Sequence, residues 1–234
     1  MTKFFSTNKD HNSSSPFRFY LSRHWEDIFF LVLFFLLFSQ DIFFINGTKS
    51  ILGSNGGVLA TFVSFESFIL TAASYVTVPL FLVPLVCLAA YQGRPNWARR
   101  YLDLVGLYIV ARMFIQLVGL NLLVFDRESP RFALITQLLF FLPYSLLIWG
   151  WIYWRLDNFV NATNQLHFRL DCERDDPRPI DYVVASFTSV SDPPISSIKG
   201  RSARARILII VHGFVVYDIM GLTLSRAVAL IQSK

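Results

Sequence analysis

Apolar residues fall along this chain in long, nearly unbroken runs, not in the alternating pattern of a half-buried strand. A helix that crosses hydrocarbon needs roughly 20 mostly apolar residues, because only its own backbone hydrogen bonds are available there. Runs of about that length predict spanning helices over residues 28–45, 58–91, 101–125, 132–154 and 207–231. The first is interrupted near its far end by Ser39, Gln40 and Asp41. The second exceeds one crossing and contains Pro79 and Pro84. It is either one tilted, kinked helix or a tight hairpin that breaks near Pro79, and the kinked helix is favoured. The fourth run closes in Trp149, Trp151, Tyr153 and Trp154, followed by Arg155, an aromatic belt of the kind that marks a membrane interface.

Composition agrees with this pattern. Of 234 residues, 54% are hydrophobic and only 16% charged, and the mean hydropathy is +0.48, the balance of an integral membrane protein. The formal charge of +5 is read as loops facing anionic lipid, with no nucleic-acid partner. Cys87 sits in an apolar run and Cys172 in a charged loop, which indicates no disulfide framework. The polar N-terminal segment lacks the pattern of a cleaved signal peptide and ends in the interfacial stretch FRFYLSRHW. The chain therefore divides into a tail and interfacial segment (1–27), N-terminal spanning helices (28–131) and a C-terminal module (132–234). With five spans and the N-terminus inside, the inner loops carry Lys3, Lys9, Arg18, Arg23, Arg94, Arg99 and Arg100, against Lys49, Arg127 and Arg131 outside. That bias favours the N-terminus inside.

The C-terminal module has an unusual shape. Residues 155–179 read as a structured polar loop outside the bilayer, and 180–190 form an apolar stretch too short to cross. The segment SFTSVSDPPI, residues 186–195, precedes the last run. A short helix, a non-helical polar bend and a full spanning helix are the pattern of a re-entrant hairpin, which survives at membrane depth only inside protein or a water-filled cavity. Thr188, Ser189, Val190 and Ser191 are small or hydroxyl-bearing, and Pro193 with Pro194 stops the helix. Asp192 either attracts cations at the mouth of the bend or caps a turn before Pro193; spacing leaves both open.

These residues carry two resemblances, which cover about the last 100 residues. The fourth run with its closing YWRLDN, followed by DYVVASFTSVSDPPISSIKGRSARARILIIVHGFVVYDIMGLTLSRAV, resembles the outer helix, pore helix, filter loop and inner helix of the two-helix potassium-channel pore domain. In that resemblance Thr188 and Ser189 stand for the hydroxyls at the filter mouth, Asp192 for the post-filter aspartate, and Gly200 with Arg201 for the step before the inner helix. The family's Gly-aromatic-Gly triplet is absent, so the resemblance implies a pore-type loop without a selective potassium filter. Ser186, Phe187, Thr188, Ser191, Asp192, Arg206 and His212 also fit a pattern similar to a bacterial membrane-protein family of unknown function. With the N-terminus inside, the hairpin enters from the cytoplasmic side, opposite to channels of the known kind. A hairpin at 58–91 restores the conventional polarity but moves Arg94, Arg99 and Arg100 outside.

Charges at bilayer depth are costly, so each one suggests a role and a partner. Glu66 and Arg112 are read as a structural ion pair. Should the last helix line a pore, the ion pathway is assigned to Thr188, Ser189, Ser191, Asp192, His212 and Asp218. His11, His24, His167 and His212 are scattered without metal-ligand spacing, and no catalytic constellation or phosphate-binding glycine loop is present, so neither an enzyme nor a cofactor or metal is expected. The expectation is an all-α membrane protein of the cell membrane. It has about five transmembrane helices and a re-entrant pore-type hairpin before the last helix. Two functions compete. One is a weakly selective cation channel, a homo-oligomer and a tetramer if channel-like; the other is a non-conducting structural or accessory subunit of a membrane complex.

Overall fold

The computed structural model describes residues 16–48, 57–91, 93, 95–125, 131–159, 167–171, 177–191 and 197–232. Helix α1 (Pro16–Thr48) starts on a proline, whose missing N–H costs nothing in a first turn, and continues through Phe- and Leu-rich sequence free of glycine until Gly47. Phe30, Leu33, Leu37, Asp41 and Phe44 recur at helical spacing on its buried face, while Val32, Phe35 and Phe43 point outward.

The second apolar run is α2 (Val58–Phe68), a π-helical segment (Ile69–Ala73) and α3 (Ser74–Ala90). Its two parts meet at 53°. The break does not fall at Pro79, as the prolines suggested: Pro79 and Pro84 both lie inside α3. A π turn adds a residue to the helical register and disrupts the i→i+4 ladder, and here that disruption takes the bend that proline was expected to take. Because 53° does not reverse the chain, this run is a kinked helix and not a hairpin.

Helix α4 (Ala98–Phe125) presents Leu102, Val105, Ile109, Met113, Leu120 and Leu123 to the interior. Helix α5 (Arg131–Phe159) is the most buried of the four long apolar helices, from Leu134 through Phe141, Tyr144 and Trp149 to Asp157, while Ile135 and Leu139 face outward. The segments His24–Gly47, Ala98–Val124, Leu134–Asn158 and Ala203–Ser225 are long and apolar enough to cross a membrane, and the bent pair gives a fifth. The aromatic belt differs from expectation. Trp149, Trp151 and Tyr153 are core residues, and Trp151 packs directly on Gly106 of α4, where a side chain would collide with the indole.

After α5 come strand β1 (Phe168–Leu170), helix α6 (Pro179–Ser191), strand β2 (Ile198–Gly200) and helix α7 (Ala203–Gln232). The strands pair antiparallel, Phe168 with Gly200 and Leu170 with Ile198. Phe168 and Ile198 face inward and Arg169 and Lys199 outward, the two-residue period of a half-buried strand. Among the described residues this ribbon is the one β element in an otherwise helical structure, an exception to the all-α expectation.

Helix α6 starts on Pro179, and its first turn is closed by the Arg178 N–H donating to Asp181 Oδ2 at 2.7 Å. It lies along the C-terminal half of α5. A Cβ on Gly150 would sit 2.8 Å from the Val183 backbone, so glycine is what lets the two helices approach. At 13 residues α6 is about 20 Å long, short of a hydrocarbon core of about 30 Å. Ser202 caps α7, accepting from the Ala205 N–H at 3.1 Å.

Candidate functional site

Two buried polar constellations lie in the bundle, one in each half. The first joins α1, α2 and α4. Arg112 Nη2 donates to Asp41 Oδ2 at 2.7 Å and to Glu66 Oε2 at 3.3 Å, and Gln116 Nε2 donates to Asp41 Oδ1 at 2.7 Å. Beside them, Gln137 of α5 donates to the Gln40 carbonyl of α1 at 3.0 Å. All of these side chains are buried. Arg112 sits near the middle of its span, where leaving one partner unmade is most costly.

Glu66 and Arg112, named from sequence as a pair, are in contact, but Asp41 is the closer partner of the arginine. In sequence, Asp41 stands only as an interruption in an apolar run. The signal that it belongs inside was its spacing from Leu37 and Phe44, which share the buried face of α1.

The second constellation holds the residues proposed as an ion path. Thr188, Ser189 and Ser191 are not in a non-helical bend; they form the last turn of α6. Their hydroxyls donate back to helix carbonyls: Thr188 to Ala185 at 2.8 Å, Ser189 to Ser186 at 2.6 Å and Ser191 to Thr188 at 3.1 Å. Ser186 donates to the Leu146 carbonyl of α5 at 2.7 Å. His212 of α7 is fully buried, stacked on Trp149 with ring centroids 4.8 Å apart. Its Nδ1 lies 2.7 Å from Tyr153 Oη and its Nε2 3.4 Å from Ser189 Oγ.

Because the Ser189 proton is committed to the Ser186 carbonyl, one proton arrangement satisfies every group. Tyr153 donates to Nδ1, the Nε2 proton points to Ser189, and the chain of donors ends on a backbone carbonyl. That arrangement fastens three helices together and leads nowhere further.

Asp218 accepts from Asn121 Nδ2 of α4 at 2.8 Å, so it too is engaged within the subunit. Asp192 lies outside the described residues. The chain has only five residues between Ser191 and Ser197, and the Ser197 hydroxyl already sits 2.6 Å from that of Thr188.

A third set of contacts gathers one end of the bundle, where α1 and α4 begin and α5 ends. Arg99 reaches Glu26 at 3.0 Å and Asp103 at 3.1 Å, and Arg155 reaches Asp103 at 2.6 Å. Asp157 ties the ribbon to this end: Oδ1 accepts from the His167 and Phe168 N–H groups at 2.6 and 3.1 Å, and Oδ2 from Tyr182 at 2.7 Å. Exposed Arg169, Lys199, Arg201, Arg204 and Arg206 surround the ribbon and the start of α7. Apart from Arg99 and Asp103, an i,i+4 pair on α4, these partners lie on different elements, which is why sequence alone did not join them.

Among the described residues no group of three or more His, Cys, Asp or Glu side chains is placed to hold a metal ion. Comparison with protein-family models, with curated proteins and with solved structures found no match.

Proposed function

We propose that the protein is a multi-pass membrane protein with a pore-type C-terminal module that does not conduct, serving as a structural or accessory subunit of a membrane complex. The observation that carries this reading is the His212 lock. Polar side chains of an inner helix that take part in conduction must be free to meet water or ions. Here His212, Ser189 and Asp218 are each spent on partners within the same chain.

Orientation supports the same reading. The basic ribbon, Arg99, Arg100 and Arg155 share the end where α1 begins, and a basic end faces the cytoplasm. The N-terminus is then inside, the chain crosses five times, and α6 enters from the cytoplasmic side, inverted relative to the pore loop it resembles. In that arrangement Ser186, bonded to the carbonyl of Leu146 midway along the α5 span, reaches the centre of the bilayer.

The test is purified protein in planar bilayers under gradients of potassium, sodium and chloride salts. No unitary current is expected from the wild type or from Asp218→Asn. A unitary current whose conductance changes in Asp218→Asn would overturn this reading and establish the channel.

A further inference from the structure

The cluster around Arg112 is unbalanced in both charge and hydrogen bonding. Two carboxyl groups, Asp41 and Glu66, face one guanidinium, so with both acids ionised one negative charge among buried groups is surplus. Glu66 Oε1 and Gln116 Oε1 have no hydrogen-bond partner, although Glu66 is 2% exposed and Gln116 7%. Both side chains wall a cavity of about 10 Å³, whose other polar walls are Asp41 and Gln137. The lining is therefore rich in acceptor oxygens, with the unpartnered Arg112 Nε and Nη1 belonging to a side chain outside it. A second cavity of about 30 Å³ touches Asp41 from the π segment, through Ile69 and Leu70, and from Tyr108. The nearby Tyr144 hydroxyl is committed to the Ile109 carbonyl at 3.1 Å.

We propose that this cavity binds one monovalent cation, a proton or a sodium ion, held by Glu66 and Gln116 oxygens and bridging the kinked α2 to α4. A single positive charge cancels the surplus and gives both orphaned oxygens a partner at once. The volume suits one small ion or one water, and hard oxygen donors suit both candidates. A ligand held only by the folded state raises its stability in proportion to occupancy. Charge balance makes this site independent of whether the C-terminal module conducts.

The experiment is thermal unfolding of the full chain in detergent, in two arms: sodium replacing choline at fixed pH, and pH lowered in choline without sodium. Binding predicts a rise in Tm of several degrees in one arm, absent in Glu66→Gln, whose amide presents a neutral, permanently protonated end. A sodium response lost in Glu66→Gln identifies the ion as sodium; an acid response lost in Glu66→Gln identifies the proton. Infrared difference spectra of the wild type, read for a carboxyl C=O band that appears or shifts with the same titrant, provide a second measurement should Glu66→Gln misfold. A wild-type protein indifferent in both arms and spectrally silent, or a Glu66→Gln protein responding as the wild type does, overturns the proposal.

Discussion

Replacing Arg112 with methionine is expected to destabilise the protein by about 3–5 kcal/mol, the cost of stranding a buried charge. The arginine is the only cation bonded to Asp41 and Glu66 among the described contacts, and both acids are buried. The loss comes from the two carboxylates left behind more than from any net value of the triad itself. A triple variant, Arg112→Met with Asp41→Asn and Glu66→Gln, should therefore recover most of the stability, because replacing every member of a buried ion cluster by neutral groups is close to neutral. Thermal unfolding in detergent measures both. If the triple variant were as unstable as Arg112→Met alone, the side-chain stem and its packing would matter, and the electrostatic account would fail.

The second large effect is steric. Gly150→Leu should detach α6 from α5, at or above the roughly 1–3 kcal/mol typical of overpacking, because the collision is with the Val183 backbone as well as its side chain, and backbone cannot rotate away. Losing that contact also breaks the Ser186 bond to Leu146 and removes Ser189 from His212. Hydrogen exchange and proteolysis over residues 179–191 should rise sharply. Gly213→Ala and Gly221→Ala are the controls, since a Cβ at either position meets nothing within 4 Å. Equal protection of α6 in Gly150→Leu and in these controls would mean that the α5–α6 approach is not what holds the module shut.

The spans were legible because hydrocarbon imposes a length and a composition that a single sequence displays directly. The expected run at 101–125 and the observed segment Ala98–Val124 differ by only a few residues, and 28–45 is the apolar centre of His24–Gly47. The kink was legible in kind but not in place. Proline is visible in sequence, whereas a π turn over Ile69–Ala73 has no residue signature and arises from how the helix packs. Pairing across the bundle was legible only where cost forced it. Glu66 and Arg112 are conspicuous charges in apolar runs, while Asp41, beside Ser39 and Gln40, looked like the end of one.

The C-terminal module departs furthest from its sequence expectation, for a related reason. Hydroxyls beside prolines suggest a bend, and SFTSVS was read as one. Ser and Thr in a short buried helix can satisfy themselves on carbonyls one turn back, and this chain uses that option at Thr188, Ser189 and Ser191. The belt of Trp149, Trp151 and Tyr153 misled in the same way. Large aromatics mark interfaces on average, but the glycine at 106 gives Trp151 room in the core and the flat face of His212 stacks on Trp149.

The central claim is that Ser189 and His212, two of the residues resembling a pore lining, are interior to one subunit. Thiol accessibility tests it most directly: Ser189→Cys in a Cys87→Ser, Cys172→Ser background, treated in proteoliposomes with a membrane-impermeant cationic thiol reagent, with Lys199→Cys on the exposed strand as the reactive reference. The account predicts that the thiol at 189 stays unmodified until the protein is denatured, while the thiol at 199 reacts at once in the fraction whose ribbon faces the reagent. Modification at 189 as fast as at 199 would contradict it and place this face of α6 on a water-filled path.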